Sequence, residues 1–511
     1  MAKYKPYDYR QNVMVAVNLD DQLQPGTLEH TIHYVVENRL DLTSFDAQYR
    51  NTHNGRSAYN PKVLLKIVLL GYARGLNTSR RLERACRENV VFMAMSCGQS
   101  PDHSTIADFV SGMGEERIAS LFSQVLLVCD QEGLLGGTHF SLDGLKLPSN
   151  ASKEWSGTKA DLLKKQRKLE ALVHQAVQTH KAHDAGSGAE DVGAERRLER
   201  LRRKAERIER FLAENKPRLG RRGKEVQSNI TDNESAKMRG AHGVIQGYNA
   251  NAMVESKRQV VVHAEVFGEG EDGAAAPPMI AGTERNLHAI GHGPQGLKAR
   301  QLSADTGYYS TRNLEACRDH GIDAYIPDQH FRKRDARFAE AGRHGRRRDR
   351  KPKSPKRFFG PEDFTFDDAT QKLICPAGQA LYVKNRNFVI HGSAFIAYQA
   401  PKTACRHCPL RAQCLRHAQT ESRQVHIRRG RRPGSLTDAM KAKIDTEEGR
   451  RAYSLRLGTV EPVFGNIRAQ KRLDRFTLRG RTKVNTQWKL YCLVHNLEKI
   501  HNFGTSFARA A

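Results

Sequence analysis

Between residues 301 and 328 the chain reads as strand, helix, strand, and that order leaves few folds open. QLSADTG (301–307) and DAYIPD (323–328) are short strand-like runs, while STRNLEACRDHG (310–321) between them repeats its apolar residues at helical spacing. Two strands joined through a helix pair in parallel, since a tight turn returns the chain antiparallel. GTHFSLDGL, VIQGYNANAMVE (244–255) and QVVVHAEVFG (259–268) supply further strands. The expectation is an α/β core, a mixed sheet covered by helices.

The first 135 residues read as helices instead. TLEHTIHYVVENRL (27–40) and PKVLLKIVLLGYARG (61–75) are helical in period, with Asn60–Pro61 as a start signal and Gly75 as a stop. SRRLERACRENVVFMAMS (79–96) then leads through CGQSPDH into STIADFVSGM (104–113). This pair has the form of a helix–turn–helix, whose second helix enters a major groove while Arg80, Arg81, Arg84 and Arg87 meet phosphates. The plainer alternative is a helical hairpin with a solvated basic face.

At 511 residues the chain is long enough for several modules. The expected division is a helical DNA-binding domain (1–135), a catalytic core (136–158 and 220–330), an inserted coiled-coil hairpin (159–219), a basic flexible arm (331–358), a cysteine-rich module (359–430), and C-terminal helices completing the core (431–511). The hairpin rests on the 3,4 spacing of Leu198, Leu201, Ala205, Ile208 and Leu212, matched upstream by Leu162, Leu169 and Ala176. The arm, HFRKRDARFAEAGRHGRRRDRKPKSPKR, cannot offset its ordering entropy by burying apolar surface. It suits contact with DNA better than a plain solvated linker, because its arginines stand where no core needs them.

Charge narrows the partner. Lys and Arg number 84 against 56 Asp and Glu, giving a net charge of +28 and a pI near 9.9. That is the electrostatic footprint of a protein for a polyanion, nucleic acid first. The longest apolar run, at 63–73, is too short to span a bilayer, and the N-terminus lacks the apolar core of a signal peptide. A cytoplasmic, nucleoid-associated protein without membrane contact is expected. Nine cysteines in such a chain read as thiols or metal ligands rather than disulfides. Cys375, Cys405, Cys408 and Cys414, set by C-x2-C spacing and Pro/Gly turns, have the count and softness of a structural zinc site, with His407 and His417 as substitutes. Reduced thiols in a small β-module are the alternative. Cys86, Cys97, Cys129, Cys317 and Cys492 are dispersed and read as buried small apolar residues.

Three acids stand in separate local patterns at the edge of the sheet: Asp143 in HFSLDGLKL, Asp305 in RQLSADTGYYS and Glu461 in RLGTVEPVFGNIRAQKR. Asp143 and Asp305 each end an apolar strand just before Gly or Thr–Gly. Carboxylates within about 4 Å of each other repel by roughly 4 kcal/mol per pair at an effective dielectric near 20. They call for cations, and two divalent ions are the usual answer in phosphodiester cleavage. Asp232, Asp328 and Glu498 compete, but the first two sit in turn-rich contexts and Glu498 in an amphipathic helix that explains it structurally.

LDG at 142–144, ADTGYYS at 304–310, the CP-x-G…C-x2-C-x5-C cluster and Y-x2-R…TVEPVFGNIR at 453–468 together resemble bacterial insertion-sequence transposases of the DDE type. The resemblance is to their long subgroup, which has an N-terminal helical domain and a cysteine cluster before the final acid. It implies an RNase H-like core in which Asp143, Asp305 and Glu461 hold two Mg²⁺ ions, replaceable by Mn²⁺, that activate water or a DNA 3′-hydroxyl and stabilise the leaving oxygen. It further implies double-stranded DNA, transposon ends and target alike, as partner, and a homo-oligomer in the synaptic complex. Such a site nicks at terminal inverted repeats and joins the freed ends to target DNA. A host nuclease or recombinase, or a binding-only descendant, would share the acids or the basic surface.

The last motif departs from the family's Tyr-x2-Arg-x3-Glu-x6-Lys. Here four residues separate Arg456 from Glu461, and Arg468 stands in the terminal position, seven residues after Glu461 and on its helical face. Arg468 suits a phosphate contact. On one continuous helix Arg456 would point about 140° away from Glu461. Gly458 and Pro462 predict an interruption there, with Thr459 as the N-cap of a new helix and Glu461 at its N-terminus.

Overall fold

The computed structural model describes residues 17–48, 57–184, 192–220, 223–240, 243–338, 358–367, 370, 372–390, 393–428 and 435–507. It divides into two compact units. One draws on the chain up to Arg218, on Val226–Ile326 and on the chain from Glu448 onward; the other comprises Leu219–Glu225 and Pro327–Glu447.

The helical part of the first unit begins where its capping residues predict. The Oγ1 of Thr27 accepts from the backbone N–H of His30 to start helix Leu28–Asn38, and the Oδ1 of Asn60 accepts from Lys62 to start helix Pro61–Ala73. The second helix is apolar nearly all round and is buried on most sides. Its one inward cation, Lys66, is neutralised by Glu37 at 2.8 Å. The helix expected over 79–96 is instead two, Ser79–Glu88 and Val90–Met95. Asn89 stands extended between them and caps the second by accepting from Val91 and Phe92. Helix His103–Gly112 follows after Asp102, whose carboxylate accepts from Thr105.

The sheet of this unit has six strands: β1 His139–Pro148, β2 Ala236–Gly240, β3 Gly243–Glu255, β4 Val261–Phe267, β5 Gln301–Ala304 and β6 Asp323–Tyr325. Their order is β2–β3–β1–β5–β6, with β4 on the same edge of β3 as β2. β3 is antiparallel to β1, whereas β1, β5 and β6 are mutually parallel. The sheet is therefore mixed, and helix Thr311–Asp319 makes the crossover between β5 and β6. Asp143 does not end its strand: β1 runs on to Pro148 because its second half, Leu145 to Pro148, pairs with Ala250 to Gly247 of β3.

Helix Arg481–Phe503 packs on β4 and on the N-terminal helix Gly114–Gln131. Leu490, Leu493, Val494, Leu497 and Ile500 are buried along it, and the Tyr491 ring stacks on Tyr72 at 4.4 Å. Trimming Leu493 to Ala would leave a cavity costing about 2–5 kcal/mol. Helices Lys159–Asp184 and Val192–Glu214 pack on each other, as their heptad spacing predicts, with Leu162 and Ile208 buried at the base against Ile230. The turn expected at AHDAGSGAED (182–191) is still helical to Asp184, and 185–191 lie outside the described residues.

The second unit holds an antiparallel meander of five strands, Thr365–Asp367, Lys372–Ile374, Ala380–Ile390, Ser393–Gln399 and Gln424–Arg428, around Leu373, Leu381, Tyr398 and Val425. Most of the basic arm, 339–357, lies outside the described residues. At its start Arg334 is held by Asp328 at 2.5 Å and by Asp445 at 2.6 Å, so this arginine serves the fold. Cys86, Cys129, Cys317 and Cys492 are buried as expected, but Cys97 is exposed. It follows the C-cap Ser96 of helix Val90–Met95, in the left-handed region at φ 51°.

Candidate active site

Two of the three acids come together through strand register. Leu142 of β1 lies opposite Ala304 of β5 in the parallel ladder, so Asp143 and Asp305, the next residue of each, follow side by side. Asp143 is half-buried, with its Oδ1 accepting from the Gly144 N–H at 2.8 Å. Asp305 leaves β5 with extended backbone and opens the short turn Thr306–Tyr308.

The third acid arrives on the helical run after residue 447. Helix Glu447–Thr459 ends at a break, and Glu461–Gly465 continues after Val460. Pro462 has no N–H to donate to the Gly458 carbonyl, which accepts instead from the Gln259 side chain at 2.8 Å. The interruption is where Gly458 and Pro462 predict it. Thr459, however, is not an N-cap: it is the last residue of the first helix, and its hydroxyl donates back to the Leu455 carbonyl. Val460 takes the cap position with no side-chain bond.

The break turns Arg456 toward both acids. Its Nη1 donates to the Asp143 Oδ2 at 2.5 Å, and its Nη2 lies 3.7 Å from the Glu461 Oε1. Arg456 is buried, and its Nε has no hydrogen-bond partner among the described residues. Burial lifts the Asp143 carboxyl to about 6 against the pull of Arg456, and Asp305 and Glu461 push the same way as burial. Glu461 itself is exposed. Arg468 is also exposed, but it lies in a π-wound turn, Asn466–Gln470, which breaks the two-turn spacing that would align it with Glu461.

A fourth carboxylate stands close by that the sequence reading did not single out. Asp272 precedes helix Ala276–Ala289 and accepts from the Asn249 side chain at 2.5 Å. A Cβ on Gly144 would come within 3.2 Å of its Oδ1 and one on Gly307 within 2.8 Å of its Oδ2. It therefore lies against the residue after Asp143 and the turn after Asp305. The local signal was faint: Asp–Gly in EGEDGAA looks like any turn. The competing acids all have structural partners. Asp232 accepts from the Tyr248 hydroxyl at 2.8 Å, Asp328 holds Arg334, and Glu498 receives the buried Lys471 ammonium at 2.6 Å.

On helix Ser79–Glu88, Leu82 and Cys86 face inward while Arg80, Arg81, Arg84 and Arg87 are exposed. Arg84 and Arg87 pair with Glu88 and Glu83. Arg80 and Arg81 have no ion-pair partner among the described residues.

In the second unit Cys375, Cys405, Cys408 and Cys414 line one small cavity. Burial raises the Cys414 thiol, Arg423 opposes that, and the other three cysteines add to it. Among the described residues, however, no three or more His, Cys, Asp and Glu side chains form a group that could hold a metal ion. The expected zinc ligand set is thus gathered around one cavity without being closed into a coordination shell.

Two family models match the chain. One, described as Transposase DDE domain, covers residues 374–501; the other, Transposase domain (DUF772), covers 17–112. The chain belongs to the DDE-type transposases of insertion sequences. No curated protein and no solved structure matches it. The matched stretches of the transposase contain the arginine-bearing N-terminal helices, the four cysteines, Arg456, Glu461 and Arg468, whereas Asp143 and Asp305 lie between them. As a family member the transposase is an enzyme that cleaves and transfers DNA, and the family generally uses a divalent metal. Around Asp143 the donors are hard carboxylate oxygens, the kind such an ion takes, but here too no three or more acidic, His or Cys side chains among the described residues form a group that could hold one. In this arrangement it is Arg456 that spans Asp143 and Glu461. No helix among the described residues is long and apolar enough to cross a membrane.

Proposed function

We propose that this transposase binds the terminal inverted repeats of its own insertion sequence and catalyses Mg²⁺-dependent strand cleavage and strand transfer at Asp143, Asp305 and Glu461, on an RNase H-like sheet. The observation that carries the reading is the meeting of the three acids around Arg456: adjacent positions on parallel strands for two, and a guanidinium shared with the third. A β1 strand antiparallel to β3 and parallel to β5 supports the RNase H-like assignment.

Asp143, Asp305 and Glu461 would hold the divalent cations. When bound, these supply positive charge to the attacking and leaving oxygens of the phosphodiester. With cations held by the acids, Arg456 would be released from Asp143 and could turn its planar guanidinium to two oxygens of a DNA phosphate, a two-pronged contact that lysine cannot make. Exposed Arg468, Arg80, Arg81 and Arg84 extend the basic surface along the DNA, and a synaptic complex of several copies brings two ends together. Cys375, Cys405, Cys408 and Cys414 would hold a structural Zn²⁺ that fixes the second unit.

The test uses purified protein with duplexes carrying the ends of the encoding element. Asp143→Asn, Asp305→Asn and Glu461→Gln should each bind ends as the parent does and abolish Mg²⁺-dependent nicking. Cleavage by any one of them at the parent rate rejects the assignment of that acid.

A further inference from the structure

Where β1 ends, a few residues beyond Asp143, the first unit has a concave site. It is an open cavity of about 280 Å³ lined by Trp155, Arg207, Thr231, Arg475 and Arg479 together with the backbone turn at Asn150–Ser152. No Asp or Glu lines it. None of the three arginines has an ion pair among the described residues, although each is tethered. The Nη2 of Arg207 donates to the Thr231 hydroxyl at 3.1 Å, the Nε of Arg475 to the Ser149 carbonyl at 3.3 Å, and the Nε of Arg479 to the Asn150 carbonyl at 2.8 Å. Each tether fixes a guanidinium and leaves its other N–H donors free. Three fixed cations around one hollow repel each other, so the arrangement favours an arriving anion with several acceptor oxygens. Trp155 adds an apolar surface. Its ring is half-buried, packing on Leu162, Ile208 and Ile230, with Lys165 at 4.4 Å.

We propose that this cavity seats a phosphodiester of the DNA strand, its oxygens on Arg207, Arg475 and Arg479 and the adjoining sugar and base against Trp155. The inference rests on the DNA-processing role proposed above and adds the place where the strand is gripped beyond the acids. The segment bearing Arg475 and Arg479 follows the helical run of Glu461 and is stitched to the end of β1 by Phe476 N–H to the Pro148 carbonyl at 2.9 Å and by the Asn150 side chain to the Thr477 carbonyl at 3.1 Å. From Asp143 to Pro148 the strand advances roughly 16 Å at its usual rise per residue. That is about five base-pair steps of duplex. A phosphate held there would fix the register of the strand entering the acid site.

The chain itself carries the reporter. It has two tryptophans, and Trp488 is fully buried, so changes in emission on adding a ligand read Trp155. Full-length protein is titrated with a dT20 oligonucleotide, with a mixed-sequence duplex of the same length, and with inorganic phosphate. Saturable quenching by either DNA, absent in Trp155→Phe, is expected, and the two DNAs distinguish an unpaired strand from duplex as the preferred source. Arg475→Gln with Arg479→Gln should weaken DNA binding by about tenfold, and the slope of log affinity against log salt should fall by about one for each lost phosphate contact. Arg207→Gln, whose tether is only to a side chain, repeats the test should the double variant fold poorly. Unmoved Trp155 emission with both DNAs overturns the proposal, as does full quenching by phosphate alone or parental affinity and salt slope in Arg207→Gln. Asp143→Asn separates the two readings: it should quench like the parent while failing to cleave. If it cleaves, the catalytic assignment falls and the strand site stands.

Discussion

Arg456 donates to the Oδ2 of Asp143 across 2.5 Å, joining residues 313 positions apart on a half-buried carboxylate that no other side chain among the described residues neutralises. Replacing Arg456 with Gln keeps much of the volume and removes the charge. Losing one partner of a buried pair costs up to about 3–5 kcal/mol, with the upper end blunted here because Asp143 can take a proton instead. The expected result is a lower melting temperature at neutral pH and a smaller loss near pH 4. An equal loss at both pH values would mean that the bond to Asp143 contributes nothing. Arg456→Lys should recover part of the stability but not the two-pronged reach to Glu461.

The raised carboxyl of Asp143 makes a pH prediction of definite sign. Its value is about 6 in the folded chain against 3.8 for the ordinary carboxyl, chiefly through burial. Between those values the folded state binds more protons than the unfolded, so this group's contribution is complete below about pH 4 and is lost as pH rises through about 6. Asp143→Asn removes the titration. With chelator present it should melt above the parent at pH 8 and close to it at pH 4, by calorimetry. A variant less stable than the parent at pH 8 would contradict the burial argument.

The sequence carried the fold unevenly, for physical reasons. The start at Asn60–Pro61 was legible because caps are local and announce themselves within a few residues. Parallel β5 and β6 were legible from the intervening helix. Strand β2, AKMRG, was not, since it is a short edge strand without alternation, and helix Ala276–Ala289 was missed although Pro277 and Pro278 mark its first turn. At the candidate site the kink at Gly458–Pro462 could be read from two residues. Its consequence, that Arg456 faces Asp143, could not, because it depends on a sheet register set some three hundred residues earlier. Asp272 was invisible for the same reason.

The cysteine cavity gives a prediction about metal content. If Cys375, Cys405, Cys408 and Cys414 close on zinc, purified protein should carry about one zinc per chain by elemental analysis, and chelation should lower the melting temperature. Cys408→Ser should lose the metal while DNA end binding, assigned above to residues of the first unit, is expected to persist. Zinc-free protein with an unchanged melting profile would leave the four as reduced thiols around an apolar cavity.

Glu498 and Asp143 should respond in opposite ways to loss of charge. Glu498 accepts from Lys471, whose ammonium is fully buried and is pulled down by burial against the pull of Glu498. Glu498→Gln leaves that cation without its counter-charge. Destabilisation of about 3–5 kcal/mol is expected in denaturant titrations. Cleavage by the fraction that remains folded should be close to normal at low temperature. A stable but inactive Glu498→Gln would point to Glu498, in place of Glu461, as the third acid.

Gly144 tests how closely the surroundings of Asp143 are fitted. It pairs with Asn251 on β3 and has no side chain, and a Cβ there would meet the Asn249 Oδ1 at 2.6 Å, the Asn251 Nδ2 at 3.2 Å and the Asp272 Oδ1 at 3.2 Å. Asn249 and Asn251 are buried, and Asn249 is held by Asp272. None of them can retreat without breaking that bond or shifting β3. Gly144→Ala should therefore cost about 1–3 kcal/mol of stability, the usual range for overpacking. It should also depress cleavage more than end binding, because the displaced strand is the one carrying Asp143. Asn249→Ala in the same chain removes the nearest clash and should restore part of both. If the double variant is no better than Gly144→Ala alone, the close approach to Asn249 is not what requires glycine at this position.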